Sequence, residues 1–172
     1  MKKIIASILY RFKERALEKK IRGDREVEYK SLKEMKSGLI FWTTDGKDAN
    51  WDKESRGRWE GIHFDRLCFV PDGVECTEGE EVVRLCRGDL RFGGKIRNER
   101  LQELLAREYD LLIDLNRSAS PIIHYVLANS RAHLIAGWKK AGGIADIRVA
   151  GVEEPHLFLN ELSKILAEIK KF

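Results

Sequence analysis

The sequence predicts an α/β protein: a single layered sandwich on a mostly parallel sheet, with a basic amphipathic helix at its N-terminus. Two observations carry the prediction. Short runs of β-forming residues alternate with helical patterns and turn signals, as in strands joined by crossover helices. The stretch Tyr109–Trp138 also spells one complete βαβ unit: YDLLIDL, the polar turn NRSASP, the helical IIHYVLANSRA and the apolar HLIAGW. At 172 residues the chain has the length of one domain, able to bury roughly two thirds of its unfolded surface.

Residues 1–22 open the chain as a helix and residues 23–172 form the α/β domain. Ile5, Ile8, Leu9, Phe12 and Ala16 fall on one face at helical spacing. Lys2, Lys3, Arg11, Lys13, Arg15, Lys19, Lys20 and Arg22 stand against Glu14 and Glu18, so the segment carries 8 − 2 = +6. The whole chain carries +4, which leaves 4 − 6 = −2 for the remainder. Three readings fit such a helix: packing on the body, contact with an anionic membrane surface, or contact with nucleic acid. Nucleic acid is the weakest of them, because Tyr10 and Phe12 are the segment's two aromatics and no nucleic-acid-binding motif occurs elsewhere. A secretory signal fits poorly: Arg11 interrupts the apolar run and no small-x-small cleavage site follows.

Gly23–Ser37 is a charged connection with a helical turn around Leu32 and Met35. Leu39–Thr43 is the first strand, ended by the turn Thr44–Gly46. Asn50–Glu60 reads as a short helix resting on Trp51 and Trp59. Phe64–Val70 is the second strand, closed at Pro71–Gly73, where Pro presets φ and Gly supplies the left-handed position. Val82–Cys86 is the third strand, followed by a loop over Gly88–Lys95. Asn98 caps a helix reaching about Arg107 that turns Leu101, Leu104 and Leu105 inward. In the βαβ unit Ser120 is the N-cap and Pro121 the first helical residue, where a missing N–H costs nothing. Gly142–Gly143 is a turn and Ile144–Val149 the last strand. Pro155 begins a final helix with the apolar stripe Phe158, Leu162, Ile165, Leu166 and Ile169. The result is a mostly parallel, Rossmann-like sheet, whose strand order is not readable from the sequence.

Composition narrows the functions. Hydrophobic residues make up 43 % and charged residues 35 %, and no run approaches the roughly 18 apolar residues of a membrane span. Cys68, Cys76 and Cys86 are odd in number and lack zinc or CxxC spacing, so they read as reduced packing thiols of a cytoplasmic protein. His63, His124, His133 and His156 show no metal-ligand spacing, and neither a metal nor a cofactor is expected.

In a parallel sheet the carboxyl ends of the strands share one edge, where ligands bind. That rule gathers Thr43–Lys47, Pro71–Gly73, Arg87–Lys95, Asn116–Ser120 and Trp138–Gly143. Asn116, Arg117, Ser118 and Ser120 are the candidate ligand-binding residues, at a helix N-terminus whose partial positive charge favours an anion. The competing reading leaves Ser120 as a cap and Arg117 solvated. Asp114, inside an apolar strand, is costly unless paired or bound, and serves either a ligand or the amides of the next turn. Asp45 is the candidate general base if the protein is an enzyme. The loop GDLRFGGK is not a Walker A, since Lys95 is followed by Ile96 rather than Ser or Thr. There is no GxGxxG after the first strand and no GxSxG elbow.

Three segments, Tyr109–Leu115, Ser130–Gly137 and Phe158–Leu166, together with the basic N-terminus, resemble a family of small uncharacterised bacterial proteins, a domain of unknown function. That resemblance implies no activity. YDLLIDLN also resembles the N-terminal Rossmann-like half of heptosyltransferase-type glycosyltransferases. Their Gly-rich loop after the first strand stands here as Thr43-Thr44-Asp45-Gly46, and the likeness implies shared architecture. The expectation is a non-enzymatic, cytoplasmic module that binds a small anionic ligand or a protein partner. The alternative is a small enzyme acting on a nucleotide or sugar phosphate. Peripheral contact with an anionic membrane would run through Lys2, Lys3, Arg11, Lys13, Arg15, Lys19 and Lys20.

Overall fold

Six of the chain's strands pair side by side in one parallel sheet, in the order β3-β2-β1-β5-β7-β8. They are β1 (Ser37–Thr43), β2 (His63–Val70), β3 (Val82–Cys86), β5 (Leu111–Asp114), β7 (Ile135–Trp138) and β8 (Ile147–Val149). A second, two-stranded parallel ladder joins β4 (Glu108–Tyr109) to β6 (Arg131–Ala132). The helices are α1 (Lys2–Glu18), α2 (Glu99–Ala106), α3 (Pro121–Asn129) and α4 (Pro155–Glu168). The computed structural model describes residues 1–20, 25–46, 59–138 and 144–169. Most of the helix expected at Asn50–Glu60, the turn at Gly142–Gly143, and Lys47, Lys139 and Lys140 lie outside the described residues.

Strand alternation sorts the core into two layers. Leu39 and Phe41 of β1, Leu67 and Phe69 of β2, Val83 and Leu85 of β3 and Leu112 of β5 face one side. There they meet Leu101, Leu104 and Leu105 of α2 and Ile122, Ile123, Val126 and Leu127 of α3. Ile40, Trp42, Cys68, Val70, Ile113 and Ala136 face the other side, against Trp59 and against Phe158, Leu159, Leu162 and Leu166 of α4. Trp138 and Phe158 meet with ring centroids 4.6 Å apart. The fold is the expected layered α/β sandwich, parallel throughout its main sheet.

The run YDLLIDL is not one strand. Tyr109 belongs to the small ladder, and the main-sheet strand begins at Leu111. Between them Asp110 turns its carboxylate onto the start of β1, accepting the Lys36 and Ser37 N–H groups at 2.7 and 3.2 Å and the Lys30 ammonium at 2.7 Å. These donors hold its carboxyl below the usual carboxylate range against the opposing effect of burial. At the same amino edge Arg25 reaches both carboxylate oxygens of Asp146, at 2.6 and 2.8 Å. Arg107 Nη1 and the Tyr109 hydroxyl both donate to Asp65 Oδ2, at 2.8 and 2.7 Å. The amino edge is thus closed by ion pairs.

Of the three readings of residues 1–22, packing on the body would bury the stripe Ile5, Ile8, Leu9, Phe12 and Ala16. In the structure α1 runs against α3, but Leu17, fully buried, is its contribution to the core, with half-buried Tyr10 beside it. The Arg87 guanidinium sits 4.5 Å over the Tyr10 ring, and burial raises the Tyr10 hydroxyl to about pKa 12. Ile5, Ile8, Leu9 and Phe12 of that stripe point the other way, into solvent.

Candidate functional site

The winding of the sheet reverses between β1 and β5. From β1 the chain steps outward to β2 and β3, and Trp59, just before β2, packs in the layer of α4. From β5 it steps the opposite way to β7 and β8, and its next element, α3, packs in the other layer. Such a reversal of strand order marks the switch point, the place outside the carboxyl ends of the strands where open α/β sheets bind ligands. The strand order itself, 3-2-1-4-5-6 within the sheet, is that of doubly wound dinucleotide-binding sheets.

Register brings particular residues to this point. Phe41 pairs with Asp114, the last residue of β5, so β1 runs on past it and brings Thr43 alongside the turn at Asn116. The Asn116 side chain joins the two: Thr43 Oγ1 donates to Asn116 Oδ1 at 2.5 Å. Asn116 in turn donates twice to Asp114 Oδ1, from its backbone N–H at 3.0 Å and its Nδ2 at 2.7 Å. Thr44, also buried, accepts the Gly46 N–H on its hydroxyl at 3.1 Å and turns the chain after β1. Asp114 shares the face of Leu112, the side covered by α3. It is 7 % exposed, and among the described residues no lysine or arginine pairs with it; the hydrogen bonds it accepts there are those two from Asn116. Burial raises its pKa from 3.8 to about 6, with the Asn116 bonds acting in the other direction. A carboxyl held near neutrality at the switch point of a parallel sheet can accept from a ligand hydroxyl or move a proton.

The structure separates the candidate ligand residues by role. Asn116 is buried and committed to Asp114 and Thr43. Ser120 caps α3, accepting the Ile123 N–H at 3.3 Å. Arg117 and Ser118 are exposed, and the Arg117 guanidinium lies 5.1 Å from the Trp138 ring centroid. Trp138 is itself fastened by Nε1–H donation to the Leu115 carbonyl at 3.2 Å. Asp45 is exposed in the loop after β1, which neighbours the loop carrying Arg117 at the same edge. Sequence reasoning places Thr43 in an edge loop but misses its bond to Asn116, 73 residues away, because that depends on which strands pair. Asp114 carried a readable signal, a carboxylate among apolar neighbours.

Other constellations lie elsewhere. Cys68 and Cys76 approach with their sulfurs 3.8 Å apart, and burial pushes the Cys68 thiol up to about 12. No group of three His, Cys, Asp or Glu side chains suited to a metal ion occurs among the described residues. A groove lined by Glu80, Val82, Arg84, Asn98 and Arg100 runs beside the edge strand β3, away from the switch point. No helix among the described residues is long and apolar enough to cross a membrane.

The chain matches the model of a family of unknown function (DUF6913) over residues 10–169, and it belongs to that family. No curated protein matches it. No solved structure matches it either.

Proposed function

We propose that this family member is a binding module for a small anionic ligand, seated at the carboxyl edge between β1 and β5. The observation that carries the reading is Asp114, a buried carboxylate with no cationic partner among the described residues, at the place where the sheet reverses its winding. An isolated ionised carboxylate is costly to bury, and the cost is explained if a ligand completes it. The ligand's hydroxyl or amine would donate to Asp114. Its anionic group would lie outward, against Arg117, Ser118 and the exposed turn that precedes α3. Sugar phosphates and nucleotides combine those two chemistries. Three free thiols support a reducing, cytoplasmic setting.

A second reading, an enzyme acting on the same compounds, draws support from the raised pKa of Asp114. It would make Asp114, rather than Asp45, the general base.

The test is a thermal-shift screen of the full chain against nucleotides, sugar phosphates and acyl phosphates. A true ligand at a hundredfold excess over its Kd adds about 2.7 kcal/mol. That shift should disappear in the Arg117→Ala/Ser118→Ala double variant and shrink in Asp114→Asn. A ligand whose shift survives all three substitutions, or the absence of any shift, overturns the assignment of the site.

A further inference from the structure

Helix α1 turns its apolar face away from the protein. Ile4, Ile5, Ile8, Leu9 and Phe12 are 64, 53, 48, 40 and 59 % exposed. With Met1 they make six of the eleven exposed large hydrophobic residues among the described ones. At about 100° per residue, Ile4, Ile8 and Phe12 form one ridge with Ile5 and Leu9 beside it. Tyr10 and Leu17, seven residues apart, occupy the opposite side and hold the helix on the body. This apolar face has two basic borders: Arg11 and Arg15, four residues apart, lie on one, and Lys2 and Lys13 on the other. Lys19 and Lys20 follow the helix, both exposed. Phe92, 66 % exposed, continues the apolar surface beneath Lys13, whose ammonium is 4.8 Å from its ring centroid.

We propose that α1 is a docking helix for an anionic lipid bilayer. It lies in the plane of the headgroups with the Ile4–Ile8–Phe12 ridge in the acyl boundary, while the folded body hangs from Tyr10 and Leu17 on the solvent side. An apolar ridge between two rows of cations is the pattern of an interfacial helix: long basic side chains bury their stems and keep their charges among lipid phosphates. The charges select this occupant. A second copy pressed face to face would bring both basic borders onto their counterparts, which repel. Nucleic acid would meet the cations but would leave the exposed apolar ridge against phosphates. An anionic bilayer satisfies ridge and borders together.

The test is flotation of the full chain with phosphatidylcholine vesicles, with and without about one third phosphatidylserine. Because the residues replaced are exposed, Ile8→Glu/Phe12→Glu and Arg11→Glu/Arg15→Glu should keep the wild-type melting temperature. Wild type should float with the serine-lipid vesicles and bind pure phosphatidylcholine at least tenfold more weakly. Raising the salt toward 1 M, where the screening length falls to about 3 Å, should weaken binding by a similar factor. Each double variant should lose at least tenfold. Failure of the wild type to float overturns the proposal, as does flotation that either variant retains. A dimer that Ile8→Glu/Phe12→Glu dissolves, with no flotation, would identify a second copy as the occupant instead. The carboxyl-edge variant Arg117→Ala should float like wild type, so this result and the ligand screen stand or fall separately.

Discussion

At the scale of the residue, Asp114 connects sequence to chemistry most directly. Its folded pKa, about 6, lies above the ordinary 3.8, so between those values the folded chain holds a proton that the unfolded chain releases. Stability therefore falls as pH rises through that window, and the penalty is fully present above about pH 6. Two pH units correspond to about 3 kcal/mol. Asp114→Asn keeps an oxygen to accept from Asn116 and removes the charge. Its denaturation curves should be nearly flat between pH 4 and 6, and at pH 7 it should melt above wild type. A variant less stable than wild type at pH 7 would make Asp114 a structural acceptor for the turn rather than a carboxylate kept for a ligand. The sequence already marks this residue, as a charge in an apolar strand. It does not mark Asn116 as the link between Asp114 and Thr43, because that link depends on which strands are neighbours.

Among the elements, α1 differs most from its sequence pattern. An apolar helical stripe ordinarily faces the core, yet here Leu17 and Tyr10 make the contact and the stripe is outside. The loop Gly88–Lys95, refused as a phosphate loop, supplies part of the reason. Gly93 and Gly94 both take left-handed backbone, φ 84° and 74°. A Cβ on Gly94 would come within 2.5 Å of Ala16 C and Leu17 N, whereas one on Gly93 would meet nothing within 4 Å. The second glycine therefore seats the end of α1. Gly93→Ala should cost about 1 kcal/mol through backbone strain. Gly94→Ala adds the clash and should cost about 2–3 kcal/mol or more. It should also accelerate hydrogen exchange in α1 selectively, while exchange in β1 and β5 stays slow. Equal costs and equal exchange in the two variants would show that α1 is not seated on Gly94. The other helices match their sequence signals because these are local: Asn98 and Ser120 cap α2 and α3 as expected.

Across the whole molecule, one sheet separates two apolar layers, and β1, β2 and β5 contribute side chains to both. Losing either layer exposes the back of the same strands, so the layers should unfold together. Far-UV circular dichroism and tryptophan fluorescence should give one coincident transition, since Trp42, Trp59 and Trp138 all report from the α4 layer. Separated transitions would mean that the layers are independent.

What the chain determined by itself was local: strands, caps, turns and the parallel layered class. Alternation of strands with helices, Pro121 at a first helical turn and continuous apolar runs act over a few residues and survive without knowledge of the partners. The tertiary structure decided the strand order, the reversal between β1 and β5, the closure of the amino edge by Asp110 and Asp146, and the outward turn of α1. Each of these depends on which distant segments pair. Pairing is settled by the burial of two faces and the satisfaction of backbone groups over the whole sheet at once, and no short stretch of sequence contains it.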